Sequence, residues 1–145
     1  MREELINALK ILLADTYAVY FKAHGYHWNV EGKNFPQYHE FYSMIAEDIY
    51  GSADDIAENI RKLQAYAPFK MSRFMEITTI PETEVGSSCE EMNADLYMAM
   101  ERLIVTINVA FQAAIAANEQ GIADFLAGRD DITKKFCWQL RVSMM

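Results

Sequence analysis

Apolar residues recur along this chain at spacings of three and four, a period that fits helices and does not fit strands. Leu5, Leu9, Leu12, Leu13, Ala14, Tyr17, Tyr20 and Phe21 make the first such stripe. It predicts a helix from about Arg2 to Asn29. The run Val30-Glu31-Gly32-Lys33-Asn34 breaks the pattern, with Gly32 as the expected turn residue. A second helix is expected to open near Pro36, because proline's missing N–H costs nothing in a first turn. Phe41, Met44, Ile45, Ile49, Ile56, Ile60 and Leu63 supply its apolar face, and it should end before Pro68.

The period then weakens between about Tyr66 and Ser88, where Pro68, Pro81, Gly86 and three threonines intervene. One short helix around Ser72–Glu76 fits there. So long a connection is unusual inside a compact domain. It is what a four-helix bundle with one crossover between its second and third helices requires. Ser88 and Glu91 have the spacing of a capping box for the third helix. That helix carries Met92, Leu96, Met100, Leu103, Ile107, Phe111 and Ile115 and should reach about Glu119. Gly121 is the expected turn, and a last helix from about Ile122 to Val142 carries Phe125, Leu126, Ile132, Phe136 and Leu140. Gly128 inside it costs about 1 kcal/mol relative to alanine and suggests a kink or close packing. The expectation is an all-α, four-helix bundle with a long crossover, one domain over residues 1–145.

Composition narrows the functions. Apolar residues make up 52% of the chain and are spread through it, as in a globular protein. No apolar stretch reads as a membrane span, and the charged opening MREELINALK lacks a signal-peptide core. A cytoplasmic location is therefore expected. The net charge of −8 opposes a sequence-independent grip on nucleic acid and suits surfaces that attract cations. Cys89 and Cys137 belong to no CxxC pair and read as reduced, mostly buried thiols.

The polar residues point to a metal. Imidazole and carboxylate are suitable ligands for iron, and zinc fits the same donors by affinity. All three histidines fall between Lys22 and Glu40. His27 near the end of the first helix and His39 near the start of the second become neighbours once the hairpin closes. His24 reads as a surface or hydrogen-bonded histidine. His39, Ser43, Glu47, Asp54 and Glu58 follow one polar stripe of the second helix. Asp54 and Glu58, four apart, can converge on one ion. Fifteen residues separate His39 from Asp54, about 22 Å at helical rise. One chain cannot bring both pairs to one metal, whereas two chains packed antiparallel about a twofold axis can. A centre inside one bundle would use Glu-x-x-His motifs, and no histidine here has a glutamate three residues before it.

The segment His24-Gly25-Tyr26-His27-Trp28-Asn29-Val30-Glu31-Gly32, followed by Phe35 and His39, resembles the signature of the Dps family of ferritin-like mini-cages. Asp54-Asp55-Ile56-Ala57-Glu58-Asn59-Ile60 resembles its second motif. Ala123-Asp124-Phe125-Leu126 and Trp138-Gln139-Leu140-Arg141 are similar to its last helix. The resemblance covers nearly the whole chain. It implies a ferritin-like fold, a hollow dodecamer, and ferroxidase centres at twofold interfaces. Fe²⁺ is oxidised there, with hydrogen peroxide preferred to oxygen, and stored as ferric mineral. Carried over, His27 and His39 serve one half-site, and Asp54 and Glu58 the other. The family often has an aspartate where Ser43 stands, which weakens a second iron position unless Glu47 substitutes. Trp28 adjoins the site, as interface packing or as an electron donor. Asp124, with Glu119 nearby, resembles a carboxylate lining a threefold pore. Two other functions compete. One is nucleoid binding, for which relatives use basic tails and for which weak or no binding is expected here. The other is a structural cage with a decayed centre, for which Ser43 is the only support.

Overall fold

A computed structural model describes all 145 residues. It contains five helices: α1 Arg2–Asn29, α2 Phe35–Lys62, α3 Met71–Ile77, α4 Cys89–Ala116 and α5 Gln120–Ser143. There is no strand, only an isolated bridge between Glu31 and Ser88. α1 packs on α2 and α4, and α5 packs on α4 and α2, so the four long helices close a square with α3 lying on α1. The core they enclose includes Leu5, Leu9 and Leu12 from α1, Tyr42, Ile45 and Ile49 from α2, Leu96, Met100 and Leu103 from α4, and Leu126 and Leu140 from α5.

The crossover returns the chain along the bundle. The Glu31 N–H donates to the Ser87 carbonyl at 2.8 Å, which puts the start of α4 beside the α1–α2 turn. α2 and α4 therefore run in the same direction. Ser88 caps α4, accepting the Glu91 N–H at 3.2 Å. The reciprocal half of a capping box is altered, because the Glu91 carboxylate takes the Gly86 N–H at 3.0 Å instead. Gly32 sits at φ +122°, where a side chain would be strained.

Two carboxylates tie the crossover down. Asp15, fully buried, accepts from the Thr78 hydroxyl, the Thr79 N–H and hydroxyl, each at 2.6 Å, and the Thr106 hydroxyl at 2.7 Å. Buried charge is tolerated only with this kind of hydrogen bonding. Asp95 accepts from Lys22 at 2.9 Å, Thr83 at 2.8 Å and the Tyr26 hydroxyl.

Several sequence expectations are corrected. The turn between the last two helices uses Asn118 at φ +59°, and Gly121 lies inside α5. Asparagine suits that conformation because its short polar side chain bonds locally. α5 runs unbroken through Gly128, where an added Cβ would meet open space, so there is no close packing. Phe21, Met44, Ile115 and Ile132 are exposed rather than core. α4 has the length and mean hydropathy of a membrane span, because one side of it is built for the bundle interior. Both cysteines are free; burial pushes the Cys137 thiol up to about 11, so it stays protonated.

Candidate metal centre

The end of α1 and the start of α2 present two imidazoles in contact. The His27 and His39 rings are 3.9 Å apart and within 17° of parallel. Phe35 stacks on the far side of His39 at 4.7 Å, and His24 lies 5.8 Å beyond His27. The pair also bonds reciprocally through the backbone. His27 Nδ1–H donates to the His39 carbonyl at 2.5 Å, and His39 Nδ1–H donates to the His27 carbonyl at 2.7 Å. A carbonyl can only accept, so each Nδ1 carries a proton, and Nε2 is the nitrogen left to bind a metal through the lone pair of the neutral ring. That is the arrangement of a metal-binding histidine whose second nitrogen fixes its orientation. Both rings are half-buried.

Farther along α2, Asp54, Asp55 and Glu58 each offer a carboxylate oxygen within 4.8 Å of the others. All three are exposed, and none belongs to the chain's ion pairs, which are Lys22–Asp95, Arg73–Glu76, Arg129–Asp48 and Lys134–Asp130. Three like charges held together without a cation form a strongly negative patch. Asp55 is the member that sequence spacing did not single out. Its signal was present: Glu58 is four residues from Asp54 and three from Asp55, so both can reach it.

His39 and the carboxylates sit on one continuous helix, so their separation is set by helical rise at about 22 Å. The carboxylates do not join the histidines within the chain. Between the two groups on α2, Ser43 is half-buried and Glu47 exposed. Asp48 is held by Arg129 in a two-pronged ion pair at 2.8 and 3.2 Å, which commits it to linking α2 with α5.

An open cleft of about 1580 Å³ borders the carboxylates, walled by Tyr17, Phe21, Tyr50, Asp54, Phe74 and Met75 among others. Phe21 is 61% exposed, Tyr50 56% and Trp28 64%, all on α1 and α2. Burial, then the neighbouring Tyr50 and the Asp54 charge, push the Tyr17 phenol above its usual value. Trp28 leans on His24 with centroids 4.4 Å apart, and the Tyr20 hydroxyl is 3.1 Å from His24 Nδ1. Asp124 is exposed just beyond the first turn of α5, and half-buried Glu119 precedes that helix without capping it through its side chain.

A family model described as a ferritin-like domain matches residues 6–141. An uncharacterised low-temperature-induced protein of Nostoc is 32% identical over 143 residues, covering 97% of this chain and 79% of its own. DNA protection during starvation protein 2 of Bacillus anthracis is 26% identical, covering 97% of each chain. Among solved structures, a Dps protein from Bacillus brevis superposes with a TM-score of 0.94 at 25% identity, covering 99% of this chain and 97% of that one. Dps from Vibrio cholerae, described as a member of the ferritin-like diiron-carboxylate proteins, gives 0.94 at 24% identity over 99% of this chain and 91% of that one. With its crossover bundle, its imidazole pair and these matches across nearly its whole length, the chain belongs to the Dps family of ferritin-like proteins.

Proposed function

We propose that this chain is one subunit of a hollow dodecamer, acting in the cytoplasm, that oxidises Fe²⁺ and stores the Fe³⁺ as mineral. Twofold-related subunits pair antiparallel along α2. His27 and His39 then face Asp54 and Glu58 of the partner subunit, and each pair of chains holds two identical centres. Asp55 joins the carboxylate side, and Glu47 stands in weakly for the aspartate that Ser43 replaces. Hydrogen peroxide is the oxidant: two Fe²⁺, one H₂O₂ and two protons give two Fe³⁺ and two waters.

The observation that carries this reading is the pair of half-sites, histidines at the α1–α2 turn and carboxylates about 22 Å farther along α2, neither sufficient by itself. Two imidazoles held through Nδ1, leaving Nε2 for a metal, and a cluster of uncompensated carboxylates are complementary donors for Fe²⁺. The exposed Phe21, Tyr50 and Trp28 supply apolar surface for a partner beside them. At the centre, the backbone-locked imidazoles orient the ion, and the carboxylates lower the cost of the added positive charge on Fe³⁺. DNA binding is not part of the proposal, because a net charge of −8 repels phosphate.

Stopped-flow oxidation of Fe²⁺ by peroxide tests it. Each lock uses a backbone carbonyl, so His27→Ala removes one ligand without releasing His39. The double variant His27→Ala/His39→Ala is expected to lose at least about 10- to 100-fold in rate, the scale seen when metal ligation is disturbed. An unchanged rate in an intact assembly refutes the site.

A further inference from the structure

The imidazole pair stands on two helix ends, and its reciprocal hydrogen bonds tie those ends to each other. Each end is also tied to the first two turns of α4. The Tyr26 hydroxyl, on the residue before His27, donates to the Asp95 carboxylate. Lys22, one turn earlier on α1, donates to the same carboxylate at 2.9 Å, and Thr83 of the crossover does so at 2.8 Å. On α2, the Tyr42 hydroxyl, three residues after His39, donates to Asn93 Oδ1 at 2.6 Å. Tyr42 is fully buried and Asn93 only 2% exposed. The turn between the helices is held as well, because the Ser87 hydroxyl donates to the Glu31 carboxylate at 2.9 Å. Core filling does not require these groups, since apolar side chains of similar size fill such space without a buried hydrogen bond to satisfy. A satisfied polar pair adds one fixed arrangement. Burial pushes both phenols above their usual value, and the bond to Asp95 adds to this at Tyr26, so each remains a donor at neutral pH.

We propose that Asp95 and Asn93 are positioning residues of the metal centre, which act through Tyr26 and Tyr42 to set the spacing and tilt of the His27 and His39 rings. The inference rests on the shared-centre reading above. Neither residue is a ligand. α4 serves as a jig: Asp95 fixes the last turn of α1, and Asn93 fixes the first turns of α2. Metal ligands must be held to within about 0.5 Å of their working geometry, and packing of two helix ends by apolar contact alone does not do that. With one tie cut, that helix end is free to turn. The Nδ1 bonds to the His27 and His39 carbonyls then weaken, and a ring released from its carbonyl can move its proton to Nε2, the nitrogen the metal needs.

The test has a metal-free arm and a Co²⁺ arm, both on the assembled protein. Tyr26→Phe and Tyr42→Phe each remove one hydroxyl and keep the ring. In metal-free protein carrying isotopically labelled histidine, solid-state NMR at about pH 8, above the ordinary imidazole value, reads the tautomers. The wild type should show His27 and His39 as Nδ1–H forms, and each variant should mix in the Nε2–H form. Titrated with Co²⁺ and followed by its d–d absorption, each variant should bind about 10-fold more weakly, with an altered spectrum. Asp95→Asn should weaken Co²⁺ binding similarly, and adding Tyr26→Phe to it should cost little more, because both cut the same tie. Leu126→Ala opens a core cavity at the opposite end of the bundle and is the control: it lowers stability and should leave tautomers and Co²⁺ binding unchanged. Unchanged tautomers or unchanged Co²⁺ binding in the tyrosine variants, or an equal loss in Leu126→Ala, overturns the positioning role. Failure of the ferroxidase reading is distinct: the His27→Ala/His39→Ala protein would then keep oxidising iron, whatever the NMR spectra give.

Discussion

Single residues settle protonation in this molecule. Burial works against the charge of Asp95, but hydrogen bonds from Tyr26, Lys22 and Thr83 outweigh it and hold the carboxyl below its usual 3.8. The unfolded chain therefore takes up this proton more readily than the folded one. The stabilisation is complete above the unfolded value and is lost as pH falls through the lower, folded one. Asp95→Asn should destabilise the protein by about 1–3 kcal/mol at neutral pH. Its deficit should shrink as the pH is taken down from 5 through 3.8 and below. Urea midpoints of both proteins across that range check this; a constant offset would show that the Asp95 charge is irrelevant. The imidazole side of the candidate centre was readable at this scale, since His27 and His39 stand where a hairpin must bring them together. The lock between them was not readable, because it depends on backbone carbonyls that every residue has.

At the scale of elements, apolar period located the four long helices and the crossover, and the ends of α1 fell where the pattern stops. The end of α4 did not, because Asn118 and Gly121 are both turn formers and local chemistry does not choose between them. Period also says which face is apolar without saying what covers it. Phe21 and Met44 fit their helical stripes and yet face outward, since the stripe is wider than the bundle needs. α2 itself ends at a cost. Gln64, just past its C-cap, holds φ +70°, a conformation that favours glycine. Gln64→Gly should stabilise the protein by about 1 kcal/mol. Chemical denaturation measures it, and a loss of stability would mean that contacts of the Gln64 side chain outweigh its backbone strain.

For the whole molecule, the continuity of α2 is what turns a list of ligands into a statement about assembly. His39 and Asp54 cannot approach each other while that helix stays intact, so the proposed centre needs two chains. Apolar rings exposed around the cleft, and carboxylates without cation partners, support the proposed completion of the site by a second chain. The sequence motif named the residues, and helical rise keeps the two groups apart within one chain; in the proposed assembly a second chain supplies the rest.

Complementation between two inactive variants tests this most directly. Subunits carrying His27→Ala/His39→Ala keep their carboxylates, and subunits carrying Asp54→Ala/Glu58→Ala keep their histidines. Each variant alone should fail to oxidise Fe²⁺. Co-assembled in equal amounts, random pairing makes half the pairs mixed, each with one intact centre, so about a quarter of the wild-type rate should return. No recovery in co-assembled cages would place all four ligands in one chain's site and contradict the shared centre.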